Sequence, residues 1–154
     1  MIVMFSGLVG QSVSAESNPV SNFGLLDHEG DFHELYYHRN DDRTRLLVLF
    51  VQGNGCPLVQ KRIPQLNRLK KTYEPKGVRC WMLNANLQDE RDEIAVEAEK
   101  YGIEWPILID ASQLVADDLK LQRTAEALVI EPGTWKLRFR TAWRAGTSRS
   151  SKRG

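Results

Sequence analysis

Apolar residues along this chain fall into short solid runs separated by staggered stripes. Leu46 to Val51 is an uninterrupted run, Leu-Leu-Val-Leu-Phe-Val. Its length and β-branched content predict a strand buried on both faces. Gln52-Gly53-Asn54-Gly55 breaks the run, and Cys56-Pro57 opens the next element. Proline at a first helical position is pre-organised for a helix and gives up only an orphan donor. Leu58, Ile63, Leu66, Leu69 and Tyr73 keep helical spacing, which predicts a helix to Tyr73, kinked at Pro64. Gly77 separates it from Val78 to Leu83, a second buried strand that holds Cys80, Trp81 and Met82.

Asp89 to Tyr101 gives the clearest helical pattern. Asp89 and Asp92 resemble a capping pair, acids crowd the first turn, and Gly102 follows the last. Pro106 to Ile109 predicts a third strand and Gln113 to Leu121 a short helix. Ala127 to Ile130 and Trp135 to Phe139 flank Glu131-Pro132-Gly133-Thr134, a hairpin turn. Ahead of all this, Phe23 to Leu35 reads as two extended pieces around the turn Asp27-His28-Glu29-Gly30. Arg39 to Arg45 reads as a charged loop. Buried strands alternating with helices imply an α/β sheet with helices on both faces, closed by an antiparallel hairpin.

With 154 residues, 42% of them hydrophobic and 27% charged, the chain suits one globular domain and excludes wholesale disorder. The longest apolar runs fall far short of the 18 residues that a membrane-crossing helix needs. The net charge of +1 gives no reason to expect nucleic acid or an anionic membrane as partner. The charge is uneven: seven basic residues and no acid follow Glu131, while residues 1–131 carry 14 basic and 20 acidic groups.

The expected organisation is a signal peptide or disordered N-terminus over 1–20, a globular domain over 21–140 and a disordered basic tail over 141–154. Ile2 to Val9 is apolar, and Val13 and Ala15 suit a signal-peptidase site, although no Lys or Arg precedes Arg39. That pattern favours a periplasmic or secreted protein, with a cytoplasmic one as the alternative.

Cys56 is the residue that carries chemistry. It stands where a buried strand meets a helix start, the end of an open α/β sheet where sites tend to lie. Backbone N–H groups and the helix dipole there favour thiolate over thiol. Gly53 and Gly55 leave the approach open. Cys80, inside an apolar strand, reads as a small core residue rather than a resolving thiol. His28, His33 and His38 recur every five residues, which on an extended strand sets neighbours on opposite faces and argues against a metal site. No cofactor is indicated.

The order and spacing of several segments resemble the thioredoxin superfamily, specifically redoxin domains of the peroxiredoxin-like (alkyl hydroperoxide reductase and thiol-specific antioxidant) kind. These segments are 23–30, Leu46 to Val51 followed by Gly55-Cys56-Pro57, Pro64, Gly77-Val78, Asn84-Ala85-Asn86, and Tyr101 to Asp110. The resemblance covers roughly residues 22–140. It implies a thioredoxin-like fold with a central mixed sheet, and a further strand or helix after the hairpin. The composition of Thr141 to Gly154 points instead to truncation or a shifted reading frame.

The departures are specific. The thioredoxin pair of cysteines two residues apart is here Cys56-Pro57-Leu58-Val59, without the second thiol. Peroxiredoxins place Thr three residues before the reactive cysteine; Gly53 stands there. The family's cis-proline is matched by Ala125, and a cis bond before alanine costs about 2.5–4 kcal/mol, so trans is expected.

The implied activity is thiol-based redox chemistry. Cys56 attacks a peroxide or a disulfide, and an external thiol reductant resolves the product. Supporting candidates are Gly55 and Pro57 beside the nucleophile, and Arg123 and Thr124 in the loop expected opposite it. The alternative is a non-catalytic thioredoxin-like binding or sensing module, or a fragment of a larger redoxin protein.

Overall fold

The computed structural model describes residues 18–143. The signal-like stretch and nearly all of the basic tail lie outside the described residues.

A short antiparallel hairpin of β1 (Gly24–Leu26) and β2 (Phe32–Glu34) opens the fold. Its turn is organised by buried Asp27, whose Oδ1 accepts from the backbone N–H groups of Glu29, Gly30 and Asp31 at 2.9–3.0 Å. This Asx-type arrangement is why Asp27-His28-Glu29-Gly30 turns. A 3-10 helix over Leu35–Asn40 follows and takes up the start of the segment expected to be a loop.

The main sheet has five strands in the order β5-β4-β3-β6-β7. Central β3 (Leu46–Gln52) pairs in parallel with β4 (Val78–Asn84) and antiparallel with β6 (Glu126–Glu131). Beyond β4 lies parallel β5 (Ile107–Ile109), and beyond β6 lies antiparallel β7 (Lys136–Ala142). The sheet is mixed, as the alternating strands and closing hairpin require.

Alternation along β3 divides the core. Leu47, Leu49 and Val51 face one side, packed with Val115 of α4 (Leu114–Asp118), Leu119 and Leu35. Phe50 faces the other, packed with Val59 of α1 (Pro57–Gln60), Leu66 of α2 (Ile63–Tyr73), and Ile94 and Ala98 of α3 (Arg91–Tyr101). Cys80 and Met82 from β4 join this second side. Helices therefore cover both faces.

Two helices differ from expectation. The kinked helix through Pro64 is broken into α1 and α2, with a turn at Lys61-Arg62 between them. Pro64 lacks the N–H that would bond to the Gln60 carbonyl, so it starts a helix instead of bending one. Helix α3 is capped by Glu90 and Glu93, not by Asp89 and Asp92: the two glutamates form a reciprocal capping box. Asp89 is engaged elsewhere, as described below. Gly102 ends α3 in the left-handed region, as its position suggests.

The histidines do not share one strand. His28 lies in the β1–β2 turn, His33 in β2 and His38 in the 3-10 helix. The turn and the helix undo the alternation of faces, and all three line one cavity of about 340 Å³ with Trp81 and Cys80. His33 Nε2 is 2.8 Å from Asp27 Oδ2, and His28 Nδ1 accepts from the Ile107 N–H.

Candidate active site around Cys56

The loop from Gln52 to Gly55 leaves the carboxyl end of β3 and delivers Cys56 to the first residue before α1. Gly55 takes φ +71°, a backbone region that side-chain-bearing residues rarely adopt, and this turns the chain into the helix. Pro57 then sits at the first helical position, as expected. Cys56 is partly buried, and the Cys56 N–H bonds to the Gly53 carbonyl at 3.3 Å.

Thr124 supplies the closest side-chain partner. Its Oγ1 lies 3.3 Å from Cys56 Sγ. With a thiolate on the cysteine, the hydroxyl is the donor. Burial pushes the thiol up, but the Thr124 hydroxyl and the backbone N–H groups of Val59 and Leu58 favour the anion more strongly. The Cys56 pKa therefore lies below the ordinary thiol value, even with the Glu97 carboxylate opposing it.

Thr124 and Gly53 are packed against each other. A Cβ built on Gly53 would lie 2.7 Å from Thr124 Cγ2. A side chain at 53, such as the threonine of the peroxiredoxin pattern, thus conflicts with Thr124. The hydroxyl that faces the sulfur comes from the opposite loop.

The loop carrying Thr124 is tied down on both sides. The Ala125 N–H donates to the Val51 carbonyl at 2.8 Å, and the Ala125 carbonyl accepts from Trp143 at 3.0 Å. Buried Glu126 accepts the N–H groups of Gln122 and Arg123 on Oε1 at 2.7 and 2.9 Å. The bond before Ala125 is trans, as expected, and Ala125 takes φ +61°. Proline, locked near φ −65°, has no access to that conformation. Arg123 is exposed, and its backbone N–H is held by Glu126.

Two further anchors come from α3 and the turn before it. Asp89 Oδ2 accepts the Asn54 N–H at 2.9 Å, and Glu97 Oε2 accepts the Gly55 N–H at 2.7 Å. Asp89 also holds the side chains of Asn84 and Asn86, and Asn84 reaches Gln52 Oε1 at 2.8 Å. Gln52 and Asn84 are both buried at the ends of β3 and β4. In the sequence Gln52 and Glu97 carried no role at a site, and Asp89 read only as part of a helix cap. The signal present was Asn84-Ala85-Asn86 following a buried strand.

Cys80 is 5% exposed, and burial pushes its thiol up to about 11. Both cysteines are free. Among the described residues, the carboxylates that converge closely are Asp27, Glu29 and Asp31, and Asp27 is already saturated by the turn and His33.

A strand that ends in a short loop, a thiolate-favouring cysteine before a helix, and a tethered loop facing it define a thioredoxin-like redoxin domain. The chain belongs to the AhpC/TSA family, whose model matches residues 17–140. It is 28% identical over 109 residues to the thiol-disulfide oxidoreductase ResA of Halalkalibacterium halodurans, covering 70% of this chain. The chain spans 57% of that relative's length. Among solved structures, it resembles an uncharacterized conserved protein from Geobacillus kaustophilus. That likeness has a TM-score of 0.74 and 24% identity, over 87% of this chain and 72% of the other. A thiol-disulfide oxidoreductase from Bacteroides fragilis shares the fold with a TM-score of 0.67 and 18% identity, over 82% of this chain and 92% of the other.

Proposed function

We propose that this chain is a thiol–disulfide exchange domain that works through one cysteine, Cys56, and a mixed disulfide with its substrate. The observation that carries this reading is the Cys56 sulfur, 3.3 Å from the Thr124 hydroxyl, where that hydroxyl and the amides of Val59 and Leu58 outweigh burial and lower the thiol pKa. The likeness to named thiol-disulfide oxidoreductases supports the same chemistry.

The Cys56 thiolate attacks one sulfur of a disulfide. A Cys56–substrate disulfide forms, the substrate S–S bond breaks, and the other sulfur leaves as a thiolate. In the usual two-cysteine motif a neighbouring thiol resolves this intermediate. Here Val59 stands in that place, and Cys80 is buried with a raised pKa. An external thiolate therefore attacks the mixed disulfide, frees Cys56 and leaves with the substrate sulfur in a new disulfide. Thr124 donates to the Cys56 sulfur as nucleophile and again as leaving group.

Peroxide is the less suited substrate. Gly53 brings no hydroxyl, and the amides of Asn54 and Gly55 are already taken by carboxylates. Disulfide exchange also suits the periplasmic or secreted setting suggested by the N-terminal pattern. No helix among the described residues is long and apolar enough to cross a membrane.

The test uses the reduced full chain with 2,2′-dithiodipyridine at neutral pH, read by mass spectrometry, with Cys56→Ser as control. The expected result is a mixed disulfide at Cys56 formed well above the rate of a free thiol, and released by added dithiol. A free-thiol rate overturns the proposal and leaves the non-catalytic binding or sensing module, which the absent second thiol favours. Sulfenic-acid trapping under limiting hydrogen peroxide is the parallel arm; rapid trapping there would assign peroxide instead.

A further inference from the structure

The carboxylate of Glu97 brackets the nucleophile. Oε2 accepts the Gly55 N–H, one residue before Cys56, and Oε1 faces the Gln60 side chain at 3.4 Å, one helical turn after it. Both contacts come from a single residue of α3, and they pin the loop and α1 to that helix. Glu97 is also half-exposed beside the sulfur, on the rim of a shallow groove that runs along Asn54, Gly55, Gln60, Asp92, Val96 and Glu97.

We infer that Glu97 is a positioning and specificity-determining residue of the Cys56 site: it fixes the loop through Gly55 and biases the thiol toward disulfides flanked by positive charge. This inference rests on the thiol–disulfide reading of Cys56. A negative charge beside the reacting sulfur opposes the approach of an anionic disulfide and favours a cationic one. It also restrains the thiolate, so Glu97 sets an upper limit to the reactivity that Thr124 confers.

The charged and titratable groups on the segments that flank the Cys56 loop come from three elements. Helix α3 and the turn before it bring Asp89, Asp92, Glu93, Glu97 and Lys100. The turn after α1 brings Lys61 and Arg62, the latter with its guanidinium 5.6 Å from the Trp143 ring centre. The loop opposite brings Arg123, with its side chain exposed. Glu97 bonds the residue just before Cys56 and reaches the end of α1 just after it.

Glu97→Gln separates the two roles, because the amide oxygen still accepts the Gly55 N–H while the charge is gone. The first readout is the pH profile of iodoacetamide alkylation at Cys56. The expected result is a two- to five-fold faster rate below the thiol pKa, the size of an exposed charge interaction, with the high-pH limit unchanged. High salt should erase the difference. The second readout is the ratio of rates with cystamine, a dication, and with 5,5′-dithiobis(2-nitrobenzoate), a dianion. This ratio should fall by a similar factor in Glu97→Gln. The third is amide hydrogen exchange at Gly55, slow in the native chain and in Glu97→Gln and faster in Glu97→Ala.

An unchanged alkylation profile and an unchanged ratio overturn the electrostatic role. Unchanged Gly55 exchange in Glu97→Ala overturns the tether. Alkylation does not require turnover, so failure of the thiol–disulfide reading would show separately, as a free-thiol rate in the native chain.

Discussion

The sulfur of Cys56 is governed by contacts that lie far off in sequence. Thr124, 68 residues away, gives the hydroxyl nearest the sulfur. Replacing it by valine keeps the shape and removes the donor. The Cys56 pKa should rise, and alkylation at pH 7 should slow by about five-fold, the worth of a hydrogen bond of about 1 kcal/mol. Gly53 offers a sharper test. Its Cβ position lies 2.7 Å from Thr124 Cγ2, so Gly53→Ala should displace Thr124 and slow alkylation. Adding Thr124→Ser removes the clashing methyl and keeps the hydroxyl, and should restore much of the rate. A double-mutant cycle on alkylation kinetics measures this coupling. The placement of Cys56 at a helix start was legible from Gly53-Asn54-Gly55-Cys56-Pro57 after a buried strand, and the facing loop from its place before the last hairpin. The steric link between 53 and 124 was not, because it depends on how two loops meet.

Strands were the most legible elements. Solid apolar runs such as 46–51 and 80–83 can only be satisfied between two covered faces, and both lie on interior strands of the sheet. Helix boundaries were less so. Pro64 marks a helix start as readily as a kink, and tertiary packing of Val59 and Leu66 decides. Asp89 has the composition of a cap, but it caps a loop rather than a helix. Its bonds to Asn54, Asn84 and Asn86 make α3, β3 and β4 one unit at the site. Asn84→Leu strips that unit of its centre and leaves Gln52 and Asp89 short of partners. Urea unfolding should show a loss of about 2–4 kcal/mol with little change in slope.

At the scale of the whole molecule, the two cysteines report different events. Cys80 lies inside the core with its thiol pushed up to about 11, so at pH 8 it should react only when the fold opens. Its labelling rate should track global stability, while Cys56 labels in the native state; mass spectrometry over a urea series separates them. Stability should also fall in acid. Burial pushes the Asp27 carboxyl up, but its bond to His33 and the N–H groups of Asp31 and Glu29 hold it below the ordinary carboxylate range. A depressed folded pKa means that the stabilisation is complete above the unfolded value and fades as pH falls through the folded one. Thermal unfolding from pH 6 downward checks this, and Asp27→Asn should flatten the dependence.

The distance between Cys56 and Thr124 along the chain also has a biosynthetic consequence. A ribosome builds from the amino end, so the cysteine emerges 68 residues before the threonine that faces it. Glu97 arrives between the two. Until Thr124 follows, the nascent Cys56 lacks the hydroxyl that faces its sulfur in the folded chain. Strands β6 and β7 follow Thr124 in turn, so the Cys56–Thr124 contact can form only when most of the chain has been synthesised.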